Sequence, residues 1–222
     1  MLTVDFVFGL LGILGGLLCA VGDILFDLKG KGNSKSGPSG LIDSNWQKMA
    51  DWRFPASILL AGVGVPLYLL GFLGMSNQLA QTNETVGMIF LVFAVVGSAG
   101  GFFIHAIVCC IPVICKTLGK KNVGEDTIHE VVGKLFSAIK IPFVVMFCSL
   151  VMATSITLIF AILKGYLHVP LIFIVVNPLG LMLIGWVFRL INKKVFSDLP
   201  GIIMPSMGIA MIGLMTAISA SR

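Results

Sequence analysis

Asp23 and Asp27 stand one helical turn apart in the stretch GDILFD, residues 22–27, at the end of an apolar run whose only other charge is Asp5. An aspartate at the centre of a spanning helix costs about 2.5–3.5 kcal/mol, and ionisable residues inside membranes usually mark a pathway or a site. Both carboxylates also lie at the negative end of the helix dipole, so the pair requires a proton, a metal ion or a basic side chain. Groups one turn apart titrate as a coupled pair, which suits cation or proton uptake, or acid–base chemistry. Arg189, Lys29 and Lys31 are the basic residues placed to balance them, in which case the cluster only fixes packing. Asp23, the deeper of the two, reads as the functional one; Asp27, near the interface, reads as structural.

His105 is the second residue able to do chemistry, as a base or a metal ligand, with Cys109 one turn further on the same face. The spacing His-x3-Cys-Cys-x4-Cys over residues 105–115 matches no structural zinc pattern, so His105 and Cys109 are weak metal candidates. Asn177-Pro178 falls near the middle of an apolar run, where proline removes a backbone donor and a broken helix with a buried amide can hold a ligand. Asp23, Asp27, His105, Asn177 and Arg189 therefore form the candidate ligand- or cation-binding set. His129 and His168 lie in surface segments, and the eleven methionines are scattered as packing residues. GKGNSKSG lacks the spacing of a phosphate loop, and there is no G-x-S-x-G, HExxH or paired CxxC motif. Neither a catalytic residue nor a cofactor is specified.

The elements that must position these residues are membrane helices. Of 222 residues 57% are hydrophobic and 11% charged, against about 25% charged in soluble chains, and mean hydropathy is +1.04. The expected fold is all-α: one transmembrane domain over 1–222, a bundle of six spans near 4–28, 54–75, 86–115, 141–163, 169–191 and 200–220, with two short cytoplasmic interfacial helices. The first run lacks a preceding basic residue and exceeds a signal-peptide core, so it is read as helix 1. The five cysteines sit within or at the ends of apolar runs and are expected as thiols.

Thirteen of fifteen basic residues fall on one side, around Lys29–Arg53, Lys116–Lys140 and Arg189–Lys194. The positive-inside rule then puts both termini outside and these loops in the cytoplasm. The net charge of +5 reflects this topology and requires no nucleic acid. Partners are the bilayer and anionic headgroups at the basic loops; oligomeric state is not specified.

On a helical wheel Asp5, Gly9, Gly12, Gly16, Cys19, Ala20, Asp23 and Asp27 share one face of helix 1, with Leu10, Leu14, Leu17, Leu18, Val21 and Leu25 mostly opposite. Gly12 and Gly16 form a GxxxG pair, so the acidic face is also the packed face. Helix 3 carries the stripe Ala94, Ser98, Gly101, His105, Cys109 and Pro112. His105 sits roughly 15 Å and Asp23 roughly 7–8 Å from the cytoplasmic end, within reach of one cavity if these helices touch.

In the loops, KGKGNSKSGPSG reads as flexible. Ser44 and Gln47 fit a capping box, Trp46, Met49 and Trp52 read as interfacial anchors, and Ile128, Val132, Leu135 and Ile139 mark an interfacial helix. The leading functional expectation is transport of a small solute or ion, with Asp23 taking up a proton or cation. The alternatives are an intramembrane enzyme acting on a lipid at the cytoplasmic leaflet, with Asp23 and His105 as acid–base or metal-ligating groups, and a structural or assembly subunit.

Overall fold

The glycines of the first helix decide how the bundle closes. In the computed structural model, which describes residues 3–37, 40–192, 196, 199 and 203–221, α1 (Val4–Asp27) is wedged between α2 (Arg53–Ala80) and α7 (Met204–Ala220). A Cβ on Gly16 would lie 2.4 Å from the Ala210 nitrogen and one on Gly15 2.4 Å from the Tyr68 nitrogen. Gly213 returns the contact, its Cβ falling 2.4 Å from the Ile13 nitrogen. Backbone thus meets backbone on both flanks, the packing that substitutes in lipid for a hydrophobic driving force. Leu10, Leu14, Leu17 and Val21 face outward.

The protein is an all-α helical membrane bundle. Four helices are long and apolar enough to span, Val4–Asp27, Arg53–Ala80, α3 (Glu84–Lys120) and the continuous Glu125–Leu163, and two shorter apolar helices follow. The last of the four comprises α4 (Glu125–Phe147), a π-helical turn (Cys148–Ala153) and α5 (Thr154–Leu163). After Leu163 come a 3-10 turn (Leu171–Ile174) and α6 (Pro178–Ile191), and then α7. The main core joins Tyr68, Phe72 and Met75 of α2 with Phe90 of α3, Leu158 of α5 and Ile212 and Met215 of α7. All five cysteines are free thiols.

Several local expectations are corrected. The apolar stripe Ile128, Val132, Ile139 does not lie on lipid as a separate helix: it is the first half of the spanning helix and is buried. Its partner is Trp46, buried with Met49, Phe54, Ile111 and Cys115 in a second small core. Trp46 is therefore a packing residue, whereas Trp52 is exposed. No capping box forms, because the Ser44 hydroxyl is 3.1 Å from that of Ser34. Within the glycine-lysine loop β1 (Lys35–Ser36) pairs with β2 (Ile42–Asp43), and buried Asp43 accepts from Asn33 at 2.6 Å and pairs with Lys29 at 3.2 Å; Pro38 and Ser39 lie outside the described residues. The fifth span begins late, at Pro178, with Asn177 as its cap. Lys193, Lys194, Pro200 and Arg222 lie outside the described residues.

Candidate functional site

A cavity of about 520 Å³ lies among α1, α2, α3, the α4–π–α5 helix, α6 and α7. That volume is within the range of pockets enclosing small organic ligands, about 300–1,000 Å³. The inward face of α1 brings Asp23 to its wall, the small-residue stripe of α3 brings His105, and the first turn of α7 brings Ser206. Asp27 and Arg189 also line it. Much of the remaining wall is apolar, including Phe143, Met146, Phe147 and Leu150, the last within the π turn.

Asp23 and His105 meet there. His105 Nδ1 is 3.6 Å from Asp23 Oδ1, and each side chain keeps 19% of its surface open. Asp23 Oδ2 accepts from Ser206 Oγ at 2.6 Å, and the edge of Phe26 braces the imidazole at a centroid distance of 6.1 Å. The other ring nitrogen, Nε2, is 2.8 Å from Ser57 Oγ.

The Ser57 oxygen lies 2.7 Å from the Gly22 carbonyl and 2.8 Å from Nε2; when its one proton goes to Gly22, the oxygen accepts from the Cys109 thiol at 3.5 Å and from the imidazole. In that arrangement Nε2 carries the hydrogen, and in the neutral ring Nδ1 is bare toward Asp23. An ionised carboxylate and a bare nitrogen would oppose two lone pairs. A proton held by either Asp23 or His105 Nδ1 removes that opposition across the 3.6 Å gap.

This network uses the residue types of a Ser–His–acid hydrolase, yet its serine is shut away from the cavity. Ser57 is fully buried and is absent from the cavity wall. A nucleophile needs a substrate within reach, and Ser57 does not open onto the cavity.

The other candidates separate. Asp27 pairs with Lys29, which also reaches Asp43, so an in-chain lysine supplies its counter-charge. Arg189 stacks over Trp186 at 5.0 Å and makes no ion pair among the described residues. Asn177 is not on the cavity wall. Its oxygen accepts from the Gly180 amide at 3.0 Å and its nitrogen donates to the Ile174 carbonyl at 2.7 Å, a helix cap with its amide engaged on both sides. Cys109 Sγ approaches His105 Nε2 at 3.5 Å, but among the described residues no three potential ligands converge as a metal site.

Ser57, Ser206 and Arg53 were missed by sequence reasoning. Serine is cheap in an apolar helix, and nothing in the local sequence links Ser206 to a carboxylate 183 residues earlier. Arg53 counts as a topology charge in sequence; in the fold it donates to the Leu25, Ile24 and Leu28 carbonyls at 2.8, 3.1 and 2.9 Å, closing the end of α1 that carries Asp23 and Asp27. Its only sequence signal is a position beside a span.

Residues 6–222 match the model of a family of unknown function, DUF6796, and the chain belongs to that family. No curated protein and no solved structure matches it.

Proposed function

We propose that this member of the DUF6796 family is a proton-linked membrane carrier of a small solute, with Asp23 and His105 as its proton site. The observation that carries the reading is the 3.6 Å approach of His105 Nδ1 to Asp23 Oδ1 at a cavity wall, with Nε2 already committed to Ser57. With one proton on either member the pair is neutral, and without it the pair carries one negative charge. A group that changes charge beside a binding cavity couples occupancy to protonation, because each state then favours a different occupant.

The π turn supports movement at the same place. Leu150 and Val151 belong both to this turn and to the cavity wall, and π-bulges recur at functional sites in helices. The basic-residue distribution suggests that the cavity lies in the cytoplasmic half, with both termini outside and the basic loops near anionic headgroups.

The test is purified protein in proteoliposomes with a trapped pH dye. Decanesulfonate and decyltrimethylammonium, both permanently ionised, serve as probes. A gradient of one probe is expected to drive proton movement with wild type and not with Asp23→Asn, while His105→Gln shifts the pH range of movement. Wild-type coupled flux in folded Asp23→Asn would sink the reading. An acid–base enzyme acting on lipid would use the same two residues; Asp23-dependent turnover of a phospholipid mixture, without coupled flux, would replace the carrier.

A further inference from the structure

Among the described residues, the carboxylates that line the cavity have partners within the chain, and one basic side chain there does not. Asp27 is matched by Lys29, and Asp23 with His105 is neutral when the pair holds its single proton. Arg189 remains. It lines the same cavity, touches the Trp186 ring at 5.0 Å, and has no carboxylate within ion-pair distance among the described residues. A guanidinium beside an apolar wall favours an anion, and its planar fork matches two oxygens of a carboxylate, sulfonate or phosphate.

We infer that the cavity binds an amphipathic monoanion, with the anionic head on Arg189 and the apolar body along Phe143, Met146, Phe147 and Leu150. Trp186 holds the guanidinium from one side by cation–π contact, leaving its donors for the ligand. The inference deepens the carrier reading by naming its substrate class. It is nevertheless measured at equilibrium, so binding without coupled flux would retain the anion site and remove the carrier.

Trp186 lies on the cavity wall and provides the readout. Protein in phosphatidylcholine nanodiscs is titrated with 11-bromoundecanoate, whose bromine quenches tryptophan, and Trp186→Phe supplies the background from Trp46 and Trp52. Saturable quenching is expected, displaced by decanesulfonate but not by decanol or decyltrimethylammonium. Arg189→Gln is expected to weaken it roughly ten- to a hundredfold, the loss of a charge-assisted contact, with Arg189→Lys in between.

Nanodiscs containing dibrominated phosphatidylglycerol distinguish the source. Saturated quenching that decanesulfonate does not displace and that Arg189→Gln removes would support the same site with a membrane lipid as the anion. Equal displacement by decanol or decyltrimethylammonium on the wild type, or unchanged binding in folded Arg189→Gln, overturns the inference. The competition on wild type does not depend on how any variant folds.

Discussion

His105 bridges α1 and α2 from its place on α3: Nδ1 faces Asp23 Oδ1 at 3.6 Å and Nε2 faces Ser57 Oγ at 2.8 Å. The short side is a made hydrogen bond. The long side exceeds hydrogen-bond length and keeps room for a small movement or a bridging atom. One face of the imidazole network is thus fixed and the other adjustable, which suits a group that gains and loses a proton.

The fixed face gives the first prediction. Ser57→Ala leaves the Gly22 carbonyl without this buried donor and Nε2–H with only the Cys109 sulfur. A cost of about 1–3 kcal/mol is expected, the penalty for a buried polar group losing its partner, read as a lowered thermal unfolding temperature. Nitrogen NMR is expected to show His105 protonated at Nε2 in wild type and a mixture of tautomers in the variant. An unchanged tautomer would mean that Ser57 does not set it.

The glycine contacts give the second. Gly16→Leu must insert a side chain where Cβ alone falls 2.4 Å from the Ala210 nitrogen, and neither backbone is free to yield. Overpacking of this kind costs at least about 1–3 kcal/mol, and α1 is expected to separate from α7, with loss of monodisperse protein on size exclusion. Leu14→Ala, on the outward face, is expected to leave elution unchanged. Equal behaviour of the two variants would contradict the assigned faces.

The face of α1 is readable from sequence because glycine and leucine segregate at helical period, and the stripe of α3 is readable for the same reason. Those two patterns aim Asp23 and His105 inward. The partners that finish the site are not readable, since Ser57 and Ser206 reach it through long-range bonds and carry no periodic signal. Trp46 shows a different limit. A tryptophan beside a span has the same local pattern whether it anchors in headgroups or packs against another helix, and only the α4 stripe meeting it in space decides. Asn177-Pro178 likewise reads as a break within a long apolar run, although asparagine followed by proline is also a helix start.

Arg53 gives the third prediction. Its three bonds satisfy carbonyls at the C-terminal end of α1, where helical partners run out. Arg53→Ala is expected to destabilise by about 1.5–3 kcal/mol, the scale of hydrogen bonds to a charged group. The Leu28 amide, bonded to the Ile24 carbonyl, is expected to exchange with deuterium faster as the last turn frays. Arg53→Lys keeps the charge without the fork and should recover only part of the protection. Unaltered exchange at Leu28 in Arg53→Ala would show that the cap does not hold this end of α1.

Asp51 gives the last, a pH dependence. A hydrogen bond from Lys116, followed by the charges of Lys116 and Lys120, holds its carboxyl below the usual aspartate range. A carboxylate depressed in the folded state contributes stability above its unfolded value, about 3.9, and that contribution disappears as pH falls through the folded value. Lys116 is buried and also donates to the Met49 carbonyl, so the pair ties the loop before α2 to the end of α3. Thermal unfolding is therefore expected to show Asp51→Asn less stable than wild type by a constant margin near neutral pH. The margin should shrink as pH drops below about 4, because wild-type Asp51 then loses its charge. A margin that stayed constant down to the lowest pH at which both proteins fold would show that the Asp51–Lys116 charge pair does not hold this loop.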